Sequence, residues 1–386
     1  VELTDANAIV LGASDVSGTY EVVATAGGNI TDSGSEVLDI TSNATFTAAA
    51  GQEVLLDNNH TFAGTVTFAT PSGSLKNVTI TDTTALDLTA LTLAQVSSAG
   101  GDLIVTAGGA LTDTGPLIIP GTTTITATGQ TVELDNTSNN FATILFGSSS
   151  NAVASVEVED TNAIIIGASN SSGDFTITAG GAVTDSGDVI VGNNLSVTTD
   201  AGGSLINMDT LKVDGTMALI TDGSGAATVV NDAGIEFATS TVGGALSATA
   251  TTGNITQSGA LDIEGTTTLV TSAQEATIDL TTITTNAFTS QLLITTNDND
   301  SPTDGTYAAD VTIDGGTTNL IIGASTIDGD LTLLSGGTIT DTDSSTVTVK
   351  GALSATTDAG SSAITLNDLA VDGSFTLAPN SSGAVI

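Results

Sequence analysis

A short phrase recurs five times along this chain, and its spacing constrains the fold more than any other feature. The phrase reads Gly-Gly-x-Ile/Leu/Val-Thr-Asp-Ser/Thr-Gly in its three full copies, and the last two copies are degraded. Its central threonines are Thr31, Thr112, Thr184, Thr256 and Thr340, and they recur at intervals of roughly 70 to 85 residues. Self-similarity at such a period indicates a tandem array of stacked repeats rather than one globular enzyme.

Two further phrases keep the same spacing. One ends in Gly-Ala-Ser and begins at Asp5, Asp160 and Asn319, and the other runs from Leu-Asp-Asn to a phenylalanine at residues 56–62 and 134–141. Because three phrases shift together, the sequence predicts five tandem repeats of about 77 residues within one continuous β-solenoid over residues 1–386. The predicted repeats span approximately residues 1–77, 78–154, 155–230, 231–311 and 312–386.

The composition favours strands throughout the chain. Hydrophobic residues make up 39% of the sequence, so the chain can fold despite a formal net charge of -40. Its apolar residues are mostly Val, Ile, Leu and Ala, interleaved with Thr and Ser, and β-branched side chains suit a pleated surface better than a helix. We therefore expect almost no helix.

Short segments of alternating polarity indicate half-buried strands, as in Thr45-Phe46-Thr47 and Leu331-Thr332-Leu333. Tandem immunoglobulin-like sandwiches and a solenoid both fit this pattern. A sandwich core about 10 Å thick needs large aromatic side chains, and this chain has only nine Phe, two Tyr and no Trp. The narrow core of a parallel β-helix can be filled by stacked Val, Ile and Leu, so the all-β parallel β-helix is favoured.

The two ends of the chain match each other across a junction. Residues 381–386 placed before residues 1–7 resemble the internal stretch 149–162 with one residue skipped. Neither end carries a polar cap, which the free ends of solenoids need. We therefore expect self-assembly ends at Val1, Leu3, Val385 and Ile386. Their partner is either the flanking repeats of a longer chain or a second copy, stacked head to tail in an open filament.

The repeated phrases, together with segment 59–66, resemble the repeat regions of large bacterial exoproteins of the filamentous haemagglutinin type. The resemblance covers nearly the whole chain and implies a right-handed parallel β-helix on a secreted or surface-displayed protein. It implies no catalytic residues. Residues 1–386 include no counterpart of the amino-terminal secretion domain of those exoproteins.

Charge excludes two classes of partner. The chain has 43 acidic residues, three lysines and no arginine, so it should repel nucleic acid and anionic lipid, whose binding depends on Lys and Arg. No apolar run is long enough for a membrane-spanning helix. Strong acidity without cysteine suits an extracellular or cell-surface setting. Diffuse cations are expected to screen this charge and to connect neighbouring fibres.

Candidate sites in the sequence are few. His60 is the only histidine and is interpreted as a solvated corner residue, because one His without Cys makes no zinc site. The segment 297–305 is rich in oxygen ligands and gives a candidate Ca²⁺ site at Asp298, Asp300 and Asp304, although it does not follow the EF-hand order. Its alternative interpretation is an exposed insertion. No cofactor is expected.

The sequence therefore predicts a non-enzymatic structural protein, an extracellular fibre module assembled end to end. The alternative is the stalk of a bacterial surface adhesin whose binding site lies elsewhere. An enzyme acting on polysaccharide ranks third, because lyases and hydrolases with this fold generally line a groove with Lys, Arg, or clustered carboxylates with aromatics, and here arginine is absent and aromatics are scarce.

Overall fold

The computed structural model describes residues 1–96, 98–298, 307–342, 346–360, 362–380 and 384–385. The chain divides into two compact units, unit 1 from Val1 to Gly192 and unit 2 from Asn193 to Ile386. The described residues form strands, turns and bends without a helix. Accordingly, none of them belongs to a helix long and apolar enough to cross a membrane.

Both units consist of short strands, most of them with alternating buried and outward-facing residues. The strands of unit 1 are β1 Glu2–Asp5, β2 Ile9–Leu11, β3 Ser14–Val16, β4 Tyr20–Ala24, β5 Ile30–Asp32, β6 Leu38–Ile40, β7 Ala44–Ala48, β8 Glu53–Phe62, β9 Val66–Ala69, β10 Asn77–Asp82, β11 Leu86–Leu88, β12 Leu91–Thr92, β13 Leu103–Ala107, β14 Leu111–Asp113, β15 Leu117–Thr126, β16 Thr131–Leu134, β17 Asn140–Phe146, β18 Ser155–Asp160, β19 Ile164–Ile166, β20 Ser169–Ser171, β21 Phe175–Ala179, β22 Val183–Asp185 and β23 Val189–Val191. The strands of unit 2 are β24 Leu195–Thr199, β25 Ile206–Val213, β26 Thr216–Thr221, β27 Ala227–Asn231, β28 Ile235–Phe237, β29 Ser240–Val242, β30 Leu246–Ala250, β31 Ile255–Gln257, β32 Leu261–Ile263, β33 Thr267–Gln274, β34 Ile278–Leu280, β35 Ala287–Phe288, β36 Gln291–Asn297, β37 Val311–Asp314, β38 Leu320–Ile322, β39 Ser325–Ile327, β40 Leu331–Ser335, β41 Ile339–Asp341, β42 Val347–Val349, β43 Leu353–Thr357, β44 Ile364–Thr365, β45 Leu369–Val371 and β46 Phe375–Ala378.

Most strands of unit 1 stack into two parallel sheets, and β3 pairs in parallel with β6 and β6 with the end of β8 in a short third ladder. Sheet 1A runs through β1, β4, β7, β9, β11, β14, β16, β18 and β21. Sheet 1B runs through β2, β5, β8, β10, β13, β15, β17, β19 and β22. Glu2 pairs with Glu21, and Glu21 pairs with Thr45, so each coil takes roughly 20 to 25 residues, as expected of a solenoid repeat.

Unit 2 has the same architecture. Sheet 2A runs through β24, β26, β28, β31, β34, β37, β40, β43 and β46, and from β26 it also continues through β29, β32 and β35. Sheet 2B contains β25, β27, β30, β33 and β36. After β36 it continues as two ladders, one through β38, β41 and β44 and the other through β39, β42 and β45. All these pairings between described strands are parallel, whereas immunoglobulin-like sandwiches are antiparallel. The predicted parallel β-solenoid is confirmed.

One sequence repeat corresponds to three and a half coils. Thr31 lies in sheet 1B, and the register passes through Leu55 and Thr79 to Ile104, three coils further on. Thr112 follows half a coil later, on sheet 1A, and Thr184 is again on sheet 1B. Consecutive copies of the phrase in unit 1 therefore face opposite sides of the solenoid.

The core of each unit lies between its two sheets. Small and branched apolar side chains stack there in register, as in the buried pair Leu331 and Leu353 of unit 2. The aromatic residues are concentrated in unit 1, where Phe46 lies 6.2 Å from Tyr20 and 6.0 Å from both Phe62 and Phe68, measured between ring centroids. The first coils of unit 1 thus have an aromatic core.

Candidate functional site

The histidine corner of unit 1 forms where strand β8 passes the end of strand β5. His60 is fully buried, with its ring centroid 5.7 Å from that of Phe62. Its Nδ1 accepts a hydrogen bond of 3.0 Å from the Leu38 N–H, so Nε2 carries the proton and donates to Asp32 Oδ2 at 2.9 Å. The interpretation of His60 as a solvated corner residue is wrong, because the ring takes the place of water as partner of a strand amide.

The second repeat builds the same corner from an asparagine. Asn139 is fully buried, and its Oδ1 accepts a hydrogen bond of 2.8 Å from the Leu117 N–H. Its Nδ2 donates to Asp113 Oδ2 at 2.8 Å. Asp113 is the Asp of the repeated Ile/Leu/Val-Thr-Asp phrase, as Asp32 is in the first repeat. His60 and Asn139 therefore perform one structural task with different side chains.

The fourth repeat uses two amides for this task. Asn286 Oδ1 accepts from the Leu261 N–H at 3.0 Å, and its Nδ2 donates to Gln257 Oε1 at 2.9 Å. Gln257 replaces the Asp of the phrase, and its Nε2 donates back to Asn286 Oδ1 at 2.9 Å. The pair has no charge. The shared role is to satisfy a buried strand amide at a corner, which would otherwise cost stability.

A second set of buried carboxylates lies at the ends of the six-residue strands β10 and β18. Asp82 accepts hydrogen bonds at Oδ1 from the backbone N–H and the hydroxyl of Thr84, each 2.8 Å long. Asp160 accepts from the Asn162 N–H at 2.7 Å and from the Phe141 N–H. These carboxylates close the turn that follows each strand and connect it to the previous coil.

Burial controls the protonation of these corners. Loss of hydration raises the pKa of Asp113 to about 6, against an ordinary value of 3.8. Burial also raises the pKa of Asp82 and that of Asp160. Desolvation lowers the pKa of His60, although the hydrogen bond to Asp32 opposes the shift. The fold therefore favours the neutral form at each of these four residues.

Substitution of Asp113 by asparagine should flatten the dependence of stability on pH. The folded-state pKa of Asp113 is raised, so its stabilising contribution is complete below about pH 3.8 and is lost as the pH rises through about 6. We expect the wild-type urea midpoint, followed by circular dichroism, to fall more steeply between pH 4.5 and 7.5 than that of Asp113→Asn. The exposed Asp39→Asn is the control and should keep the wild-type slope; equal slopes for all three proteins would contradict the assignment.

The buried corners are unsuited to chemistry on an external substrate. His60 has no exposed surface and the Asp32 side chain is only 6% exposed, whereas a general base must reach the proton that it removes. Within the described ranges, no group of three or more His, Cys, Asp or Glu side chains could hold a metal ion. What this arrangement can do is fix one coil against the next.

The predicted calcium segment is only partly described. Asp298 is 4% exposed, and its two carboxylate oxygens accept hydrogen bonds from Gln274 Nε2 at 3.0 Å and from the Ala308 N–H at 2.8 Å. Asp300 and Asp304 lie outside the described residues. The calcium site stays a prediction.

Three of the four predicted assembly residues are described, and all three are exposed. Val1 is 66% exposed, Leu3 40% and Val385 49%, and Ile386 lies outside the described residues. Leu3 is in register with Val22 and Phe46, both fully buried. The same position in the coil is thus solvated in β1 and part of the core in the next two coils.

Sequence reasoning missed the corner residues. The signal was present, because the residue after the threonine of the phrase is polar and is followed, little more than one coil later, by a buried His or Asn. The pairs are Asp32 with His60, Asp113 with Asn139 and Gln257 with Asn286. His60 was expected at the surface because its side chain is hydrophilic.

The model of one protein family, described as "Repeats of unknown function (DUF5649)", matches the chain five times in tandem. The matched stretches are residues 1–69, 75–146, 153–220, 224–295 and 308–382. No curated protein and no solved structure matches the chain. The resemblance to exoproteins of the filamentous haemagglutinin type therefore stays a prediction.

Proposed function

The chain belongs to this family of tandem repeats, and we propose that it is a non-enzymatic structural protein, an extracellular fibre module that extends by stacking coil on coil. The observation that carries the proposal is the exposure of core positions on the outermost described coils. Repeats of a solenoid bury their apolar surface mainly against their neighbours, so an uncovered coil face favours addition of a further coil.

Unit 1 exposes such a face at strand β1. All four residues of β1, Glu2–Asp5, are exposed, although Leu3 occupies a core register. The equivalent side chains in the next coils, Val22 and Phe46, are fully buried. A coil stacked on β1 would cover Leu3 and pair with the outward edge of the strand.

Unit 2 exposes a comparable face at strand β46. Phe375 is 53% exposed, whereas its register partners Leu353 and Leu331 are 1% and 0% exposed. A phenylalanine at a core position is a large apolar surface to leave in water. Contact between the β46 face of one copy and the β1 face of another is heterologous, so it generates an open filament rather than a closed dimer.

Charge and hydration support an extracellular setting. A net charge of -40 keeps a long β-sheet protein soluble and limits non-specific association. Buried corner pairs such as His60 with Asp32 hydrogen-bond one coil to the next, which supports a structural role for these pairs. The absence of cysteine removes any need for a particular redox environment.

End-to-end stacking is tested with purified full-length chain by negative-stain electron microscopy and sedimentation velocity over a dilution series. We expect filaments whose length grows with protein concentration. Leu3→Glu, which places a charge on the β1 face, should shorten them or abolish them.

Val10→Glu is the matched control. Val10 is 65% exposed and belongs to strand β2 of the same coil, but it faces sideways rather than along the stack. It adds the same charge and should leave filament length unchanged. A wild-type chain that remains monomeric at every concentration, or equal effects of the two substitutions, would refute stacking through β1.

A further inference from the structure

Sheet 2B carries an outward surface without charge, here called the neutral face. Its residues form three columns in register from coil to coil, and the irregular end of β25, with Asp209 and Lys212, is not part of it. The columns are Val230, Thr249, Val270, Thr295, Thr326, Thr348 and Ala370; Asn207, Thr228, Ser247, Thr268 and Leu293; and Gln291, Ile321, Thr340 and Thr365. None of these sixteen side chains is ionisable or aromatic.

The opposite sheet of the same unit differs. Outward positions of sheet 2A include Glu236, Asp262, Asp279 and Asp314, whose register partners in neighbouring coils are threonines, an alanine and Leu334. The two faces of unit 2 thus share the fold, the coil length and the Thr-rich composition, and they differ in carboxylates.

Unit 1 repeats the distinction on its own sheets. The central outward column of sheet 1B alternates aliphatic side chains and threonines, and it comprises Val10, Thr31, Leu55, Thr79, Ile104, Thr124 and Leu145. The outward column of sheet 1A contains Asp87, Glu133 and Glu157. In both units, one sheet therefore carries a long outward column without charge, and the other carries an outward column with several carboxylates.

We propose that the neutral face of unit 2 is a lateral docking surface that pairs with the same face of a second copy of this chain. Charge identifies the occupant. Two chains of charge -40 repel each other wherever carboxylates face carboxylates, so they can approach closely only through a surface that has none. A uniform Thr and Val surface is complementary to itself, as a two-fold contact requires.

Other classes of partner lack anchors on this face. It has no basic side chain for an anionic partner and no aromatic ring for stacking against a sugar or a base. Short Thr, Val and Ser side chains allow two sheets to interdigitate at about 10 Å, the usual spacing of stacked sheets. Aliphatic residues such as Val270, Leu293 and Ile321 provide the apolar surface.

The size of the face indicates a weak contact for one unit. Seven coils at about 4.8 Å and strands of five residues give roughly 500 Å², against about 800 Å² per partner in a standard interface. Pairing should therefore depend on salt, which screens the surrounding carboxylates, and should strengthen as more units lie side by side. This lateral pairing goes beyond end-to-end stacking, because it changes the width of an assembly rather than its length.

The test compares three double variants of the full-length chain at 0.05 M and 0.5 M NaCl. Sedimentation equilibrium gives the association constant, and negative-stain images give width and length separately. We expect wild-type pairing to strengthen with salt. Thr249→Asp with Thr295→Asp places two charges on the neutral face, and pairing should weaken by at least about tenfold.

Two controls separate charge from folding. Thr312→Asp with Ser354→Asp adds the same charge two coils apart on sheet 2A and should pair like the wild type. Thr249→Asn with Thr295→Asn has the shape and strand propensity of the Asp variant without its charge, and it should pair within about threefold of the wild type. Single-width particles of the wild type at both salt concentrations would overturn the proposal, as would equal weakening by both Asp pairs. Wild-type particles that are paired in width but do not grow in length would instead refute end-to-end stacking and leave lateral pairing in place.

Discussion

Replacement of Phe46 by alanine should destabilise the first coils of unit 1 by about 3–5 kcal/mol, because a fully buried aromatic side chain is removed from a packed core. Phe46 is in register with Val22 and Phe68 in the coils before and after it. Its ring contacts three other aromatic rings, and each such pair contributes about 0.5–1.5 kcal/mol beyond the area that it buries. The cavity therefore opens where three coils meet.

The expected result is a lower urea midpoint for the full-length chain and faster amide hydrogen exchange in strands β4, β7 and β9. Phe375→Ala is the matched control, because it makes the same chemical change at a side chain that is 53% exposed. In dilute solution it should alter stability by no more than about 0.5 kcal/mol. Equal losses in the two variants would mean that the aromatic cluster does not hold the coils together.

The solenoid could be predicted because its evidence is periodic. Alternation with period two marks strands such as β40, Leu331–Ser335, and the shared spacing of three phrases marks tandem repeats. Scarcity of aromatics correctly argued against sandwiches for the chain as a whole. It gave no hint that Tyr20, Phe46, Phe62 and Phe68 would share one core, because only the coil register brings these rings from three successive coils together.

The half-coil offset could not be predicted from the repeat length. A period of about 77 residues is compatible with three or four coils, and only the observed register, from Glu2 to Glu21 and on to Thr45, gives a coil of about 22 residues. Consequently, successive copies of the phrase do not face the same side of the solenoid. Thr31 and Thr112 lie in opposite sheets of unit 1.

The corner residues were missed for a different reason. A single His between Asn59 and Thr61 carries the composition of a surface turn, and hydrophilic type normally indicates exposure. His60 is buried because its ring accepts the hydrogen bond of the Leu38 N–H from a neighbouring coil. In the next repeat Asn139 accepts the equivalent hydrogen bond. This shared role can be recognised only when His60 and Asn139 are aligned at the same position of the repeat.

The phrase that begins with Gly-Gly and the phrase that ends in Gly-Ala-Ser occur together for a steric reason. The second glycine of the Gly-Gly pair lies directly against the backbone of the preceding coil, at the alanine of the other phrase. A Cβ on Gly28 would lie 2.1 Å from the Ala8 nitrogen, and one on Gly181 would lie 2.6 Å from the Ala163 nitrogen. Each glycine therefore permits the close stacking of the coil that contains its partner.

Gly109→Val should separate two coils of unit 1. A Cβ at Gly109 would lie 2.6 Å from the Ala85 nitrogen and 2.8 Å from its Cα, so backbone rather than a flexible side chain must move. We expect a loss of about 1–3 kcal/mol or more. The Leu86 amide, which donates to the Ala110 carbonyl at 2.9 Å across this contact, should exchange faster with solvent. Gly12→Val is the control, since nothing lies within 4 Å of its Cβ position. If Gly12→Val costs as much, loss of glycine rather than the collision between coils governs stability.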